Sequence, residues 1–250
     1  MDAPRVPMGC VTDRENRGRN VVPHDKAPST RSAASTAAGY DLVAAEYAKR
    51  IYRELEAKPF DRAFLDRFAK ALPAGEVLDL GCGPGHVGGF LHDRGIPIRG
   101  LDISDEMVRL ARELNSAIEF LQGDMRELPF PDKFFAGVVA FYSIIHLEPA
   151  ELESVFTELQ RVLKPGGLLA LAFHVGNEVR HVDELWGVKT SLDFVFFEPT
   201  RVSGALRSAG FEDIESSQRA PYDPPVEAPT HRCYMVARRP SMESESASRA

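Results

Sequence analysis

The stretch Val77-Leu78-Asp79-Leu80-Gly81-Cys82-Gly83-Pro84-Gly85-His86-Val87-Gly88 runs from a short apolar strand into a glycine-dense turn that opens a helix. Glycines at such a turn let the backbone approach a ligand closely, where a Cβ would collide, and the first N–H groups of the following helix face an anion. Gly83, Gly85 and Gly88 also satisfy the spacing G-x-G-x-x-G. A second apolar strand ends at Asp102, 23 residues after Asp79. That is close to the offset at which an acidic residue meets the hydroxyls of a ribose.

Outward from this stretch, short apolar runs alternate with helix-period segments, the pattern of a mostly parallel sheet between two helical layers. Strands are expected at Glu76–Leu80, Ile98–Asp102, Ile118–Gln122, Phe135–Tyr142, Leu168–His174, Phe211–Ser217 and His231–Ala237. Helices are expected at about Asp41–Leu55 and Phe60–Leu72, from Ser104 as N-cap, after Pro149 up to Lys164-Pro165-Gly166-Gly167, and from near Pro199 to before Gly210. Pro221, Pro224, Pro225 and Pro229 leave no room for a crossover helix between the last two strands, which should pair as an antiparallel hairpin at the sheet edge. The fold expected is α/β, a doubly wound seven-stranded sheet with an antiparallel last strand. Residues 1–37 and 239–250 read as disordered tails around a domain over 38–238, and the stretch of about 175–198 reads as an insert with a functional role.

Composition narrows the classes. With 30 Lys and Arg against 37 Asp and Glu, the net charge of −7 disfavours a phosphate backbone as partner. Cys10, Cys82 and Cys233 are far apart and odd in number, which argues against a disulfide framework and a metal cluster. No apolar run approaches the roughly 18 residues of a membrane helix, so a cytoplasmic protein with no metal and no membrane span is expected.

The same segments resemble the class I S-adenosylmethionine-dependent methyltransferases, in particular their small-molecule branch, whose fold is a Rossmann-like sheet. Gly123-Asp124-Met125 is similar to that family's adenine-binding turn, and Phe141-Tyr142-Ser143 with His146 stands where its fourth strand reaches the active site. Leu163-Lys164-Pro165-Gly166-Gly167 resembles the turn before its fifth strand. The resemblance implies S-adenosylmethionine as cofactor, with Asp79, Gly81, Gly83 and Gly85 along its methionine part, Asp102 on the ribose, Asp124 on the adenine amino group and Met125 on the ring. Phe141 belongs to the same cofactor set, and Tyr40 and Tyr47 resemble the covering N-terminal helix. The implied reaction is methyl transfer to an O, N, S or C nucleophile of a small molecule.

His146 and His174, at the carboxyl ends of the fourth and fifth strands, are the candidate catalytic bases. His181, Asp183, Glu184 and Trp186 of the insert are the candidate substrate residues. The insert's acids, Glu178, Asp183, Glu184, Asp193 and Glu198, outnumber Arg180 and Lys189, which disfavours an anionic substrate. A nicotinamide-dependent oxidoreductase is the alternative that would also use Gly83, Gly85 and Gly88. It leaves Asp79 before the loop and the reversed last hairpin unexplained.

Overall fold

A computed structural model describes residues 32–241. Its main sheet has seven strands: β1 (Val77–Leu80), β2 (Ile98–Asp102), β3 (Glu119–Gln122), β4 (Phe135–Phe141), β5 (Leu163–His174), β8 (Glu212–Arg219) and β9 (Arg232–Arg238). The spatial order is β3-β2-β1-β4-β5-β9-β8. The first five strands are mutually parallel, and β9 runs antiparallel to both β5 and β8. This is the doubly wound sheet with a reversed last strand read from the sequence. The strand order reverses between β1 and β4, the switch point at whose carboxyl edge open α/β sheets bind ligands.

Among the described residues six α-helices flank the sheet: α1 (Ala33–Ile51), α2 (Pro59–Ala71), α3 (His86–His92), α4 (Asp105–Leu114), α5 (Leu152–Val162) and α6 (Pro199–Ser208). Both sheet faces are buried, and alternation within one strand feeds both. Val138 and Ala140 of β4 face the layer that holds Val155, Phe156 and Leu159 of α5 and Val202 and Leu206 of α6. Val139 and Phe141 face Phe64, Leu65 and Phe68 of α2, Val87 and Leu91 of α3, and Val108 of α4. Central parallel strands covered on both sides read as continuous apolar runs for this reason.

Several boundaries differ from the sequence reading. Helix α1 starts at Ala33, where Ser32 caps it and exchanges hydrogen bonds with Ser35, so residues 33–37 of the expected tail are helical. Residues 1–31, with Cys10, lie outside the described residues, as do 242–250. At the other end Arg239 belongs to the fold, since its guanidinium donates to the carbonyl of Gln160 at 2.6 Å. Strand β5 begins at Leu163 instead of Leu168, because Leu163 already pairs with Phe135 ahead of an irregularity in the ladder.

The insert is itself a hairpin, β6 (Val179–Leu185) and β7 (Val188–Val195), forming a separate two-stranded sheet. It leans on α1. The Thr190 hydroxyl donates to the Gly39 carbonyl at 2.8 Å. A Cβ on Gly39 would stand 2.6 Å from Leu192, so a glycine is needed for the helix and hairpin to meet this closely.

Candidate functional site

A cavity enclosing, with its mouth, about 750 Å³ opens at the carboxyl ends of β1, β2 and β4, the edge at which open α/β sheets bind ligands. The glycine turn forms one wall. Gly81 has φ +67°, and a Cβ there would run into Ser143. Asp102 at the end of β2 is 8% exposed and is held by two backbone donors, Gly83 N–H to Oδ2 at 2.7 Å and Ser104 N–H to Oδ1 at 2.9 Å. Burial raises its carboxyl above the usual range, and the hydrogen bonds from Ser104 and Gly83 work against that rise. Ser104 in turn caps α4 through Met107 N–H at 3.1 Å, and its hydroxyl donates to Asp41 of α1 at 2.6 Å. Helix α1 is thereby tied to the rim.

Gly123, Asp124, Met125 and Phe141 line the same cavity, together with Tyr40 and Tyr47. The sequence reading brings these positions, with Gly81, Gly83 and Asp102, to one place. Asp79 and Gly85 stand behind the wall instead of on it. The Asp79 carboxylate accepts from Gly88 N–H at 2.8 Å, within α3, and burial pushes its carboxyl up to about 7. Gly85, at φ +80°, packs so tightly on Phe120 and Asn115 that a Cβ would stand 2.8 and 2.7 Å from them. Both residues shape the turn from behind. The sequence cannot distinguish supporting from lining positions within so short a motif.

His146 lines the cavity but is not an open base. Its Nδ1 lies 2.9 Å from the Asp193 carbonyl, which can only accept, so Nδ1 carries the proton. Burial brings this histidine down to about 4, so the ring is neutral and Nε2 accepts from the Tyr40 hydroxyl at 2.7 Å. Tyr40 is raised well above its ordinary value by burial, then by Tyr47 and Asp102. His174 stands elsewhere, in a neighbouring cleft that shares Tyr40, Tyr47 and Tyr142 with the cavity. Its Nδ1 is 2.9 Å from the Thr230 hydroxyl, and its ring lies between Tyr142 and Phe196 at 5.1 Å from each. Burial, then Arg232, Lys58 and Arg180, bring it down to about 3.

The hairpin roofs this second cleft, and its alternation decides which residues face in. Arg180, Val182, Leu185, Trp186, Phe194 and Phe196 line it. Of the four expected substrate residues only Trp186 does. His181 instead bridges two carboxylates away from the cleft lining, Asp193 at 2.7 Å and Asp183 at 3.1 Å, which raise its pKa. Glu184 is likewise absent from the lining.

Two lining residues carry polar atoms to which the sequence reading gave no role of their own. Ser143 Oγ and His86 Nδ1 are buried without a hydrogen-bond partner among the described residues. His86 Nε2 is turned toward Glu54 at 3.3 Å. Burial opposes the charge on Glu54, yet His86 and Lys58 hold its carboxyl at about 2. Orphaned buried polar atoms are costly, and two of them beside a glycine wall and a buried carboxylate fit a polar, hydroxyl-bearing ligand. The signal for His86 was its place as the first side chain after the glycines. In the wall of the second cleft, Glu227 joins Lys58 at 3.3 Å and Arg232 at 3.2 Å, and behind them Arg219 joins Glu227 at 2.7 Å and reaches Asp61 at 2.8 Å. Among the described residues no His, Cys, Asp and Glu group could hold a metal ion, and no helix is long and apolar enough to cross a membrane.

Comparison with known proteins agrees with this geometry. Residues 77–167, from β1 to the turn in β5, match the methyltransferase domain family. A sterol 24-C-methyltransferase of Gibberella zeae is 31% identical over 60% of this chain and 43% of its own length. A malonyl-[acyl-carrier protein] O-methyltransferase of Serratia marcescens is 29% identical over 46% of this chain and 44% of its own. The chain thus spans under half the length of these two relatives. Among solved structures, a protein of Pyrococcus horikoshii superposes with a TM-score of 0.60 at 27% identity, covering 77% of this chain and 95% of that one. An S-adenosylmethionine-dependent methyltransferase of Methanosarcina mazei superposes at 0.61 with 21% identity, covering 69% and 96%. With the glycine turn, Asp102 and the reversed last strand in their places, residues 77–167 match the methyltransferase domain family and the chain is similar in fold to S-adenosylmethionine-dependent methyltransferases.

Proposed function

We propose that the protein transfers a methyl group from S-adenosylmethionine to an oxygen, nitrogen, sulfur or carbon nucleophile of a small molecule held under the β6–β7 hairpin. The observation that carries this reading is the meeting of two cavities at Tyr40, Tyr47 and Tyr142. One has the polar fittings for the cofactor, and the other has aromatic walls for an acceptor.

When bound, the cofactor supplies an electrophilic methyl group on a sulfonium. Asp102 would hold the ribose with the carboxylate lone pairs left over by Gly83 and Ser104. Asp124 and Met125 would receive the adenine, and His86 and Ser143, whose buried polar atoms line the cavity, would meet the polar amino-acid end. Asp79 keeps the glycine turn in shape through Gly88. The chain's main task is alignment and exclusion of water, worth ~7–11 kcal/mol for well-oriented reactants. Tyr40 and the neutral His146 behind it form a hydroxyl–imidazole pair that accepts a proton where the nucleophile must lose one.

The acceptor is a small molecule and not a nucleic acid, a reading supported by the net charge of −7. Cytoplasmic placement is supported by two buried free thiols, Cys82 and Cys233. Incubating the purified protein with methyl-labelled S-adenosylmethionine and a metabolite extract, followed by mass identification of labelled products, tests the activity. Absence of any labelled product, together with calorimetric binding of NAD and no response to S-adenosylhomocysteine, overturns the reading.

A further inference from the structure

The second cleft has a charge pattern that names its occupant more closely. Its lining holds four cations, Arg50, Lys58, Arg180 and Arg232, and two acids, Glu54 and Glu227. The buried cations are already neutralised: Lys58 lies 2.6 Å from Glu54, and Arg232 lies 3.2 Å from Glu227. The other two are half exposed, and each rests on an aromatic ring of the hairpin. The Arg50 guanidinium is 5.4 Å from the Trp186 ring centre, and that of Arg180 is 4.8 Å from Phe196. Stacking of this kind holds a guanidinium in place while leaving its edge N–H groups for an oxyanion.

Both arginines also touch acids that are not part of the cleft lining, Arg50 with Glu46 at 2.6 Å and Arg180 with Glu178 at 2.7 Å. Ion pairs at such exposure contribute little to stability, so they yield readily to a bidentate oxyanion. The remaining wall is flat and apolar. His174 lies between Tyr142 and Phe196, tilted by 37° and 26°, and Phe194 and Trp186 continue the surface. Of the charges that act on His174, Arg232, Lys58 and Arg180 oppose a proton there and Glu227 favours it. A positive charge is therefore unwelcome at the floor of this cleft.

We propose that the methyl acceptor is an anion with a flat apolar body, its carboxylate or phosphate oxygens taken by Arg50 and Arg180 and its body laid against Trp186, Phe194 and Phe196. This rests on the methyl-transfer reading for the word acceptor, but the charge preference belongs to the cleft itself. It reverses the inference drawn from the insert's composition. Glu178, Asp183, Glu184, Asp193 and Glu198 carry the acid excess, and none of them lines the cleft, whereas Arg180 does.

Calorimetric titration of the full chain, saturated with S-adenosylhomocysteine, against 2-naphthoate, 2-naphthamide and 2-naphthylmethylammonium tests the proposal. Naphthoate should bind at least about ten-fold more tightly than the amide, equivalent to ~1.4 kcal/mol, and the ammonium should bind most weakly. In the double variant Arg50→Gln, Arg180→Gln the naphthoate advantage should vanish while S-adenosylhomocysteine binds as before, which also reports an intact fold. Equal or tighter binding of the amide or the ammonium, no binding of any probe, or a naphthoate preference that survives in the double variant overturns it. The two readings separate because S-adenosylhomocysteine is titrated first. A protein that ignores it yet prefers naphthoate removes the methyl-transfer reading alone.

Discussion

The Tyr40 hydroxyl stands 2.7 Å from His146 Nε2, and the far nitrogen of that ring is fixed by the Asp193 carbonyl at 2.9 Å. An N-terminal helix, a loop after β4 and the hairpin thus meet on one imidazole. His146→Ala should lower turnover by roughly 10²- to 10⁴-fold for an acceptor that must lose a proton, with cofactor affinity nearly unchanged. Tyr40→Phe should share most of that loss, since the Tyr40 hydroxyl holds the accepting nitrogen of the imidazole. Steady-state kinetics beside calorimetry separates the effects, and a His146 variant with wild-type turnover removes the pair from the chemistry.

Removing the Asp102 carboxylate should weaken S-adenosylhomocysteine by about 1.5–3 kcal/mol. Asp102→Asn should retain one backbone contact and lose less than Asp102→Ala, which also leaves the N–H groups of Gly83 and Ser104 without an acceptor. Calorimetry on both variants checks the order. Equal affinity in all three proteins would place the ribose elsewhere.

Within the hairpin, Asp183→Ala and Glu184→Ala should leave KM and kcat close to wild type, because neither side chain lines the cleft. Trp186→Ala should raise KM about ten-fold or more through loss of an aromatic wall. A reversed outcome, with the acids mattering and the tryptophan silent, would mean that substrate enters from the outer face.

Stability should respond to pH in two opposing ways. His146 and His174 have folded values of about 4 and about 3 against an ordinary 6.5, so the unfolded chain takes up protons first. Their contribution is complete above pH 6.5 and is lost as pH falls toward 4. Asp79 has the opposite sign, since the folded protein keeps a proton up to about pH 7 that the unfolded chain releases near 3.8. Its contribution fades as pH rises above about 4 and is gone once pH passes about 7. Asp79→Asn, which retains an acceptor for Gly88 N–H, should therefore gain in melting temperature relative to wild type from pH 4 to pH 7 and level off above. A constant difference across that range would show that Asp79 is ionised throughout.

Arg219→Met should destabilise the fold by about 3–5 kcal/mol, because it takes the guanidinium from Asp61, which is 1% exposed and keeps the Tyr234 hydroxyl as donor, and removes the shortest of the cationic contacts from Glu227. Denaturant titration reads the loss directly. A change under ~1 kcal/mol would mean that Lys58 and Arg232 suffice for the whole cluster.

The parts of this molecule legible in its sequence are those whose physics is local. The run from Val77 to Gly88 announces a strand, a turn and a helix because each preference acts over a few residues, and Asp102 follows at a fixed offset. The cluster of Lys58, Asp61, Arg219, Glu227 and Arg232 left no such trace, since its members lie on distant segments and each alone reads as a solvated charge. The hairpin was hidden by its turn. Trp186 has φ +53° and Gly187 +85°, and a tryptophan in that first position masks the small-residue signature of a two-residue loop. Without the hairpin, the inward side of residues 179–195 cannot be told from the outward one, and His181, Asp183 and Glu184, candidates beside Trp186 in the sequence, lie off the cleft lining.

The contact of Gly39 and Thr190 makes the N-terminal helix and the hairpin one piece, though the chain visits them some 150 residues apart. Both lie outside residues 77–167, the stretch that matches the family and holds the glycine turn, Asp102 and Asp124. The molecule is in that sense a two-part instrument, a socket within the matched stretch and a cap assembled from both sides of it. Exchange of the cap would have to take both ends at once, since a new hairpin would meet an old helix cut to fit another Leu192.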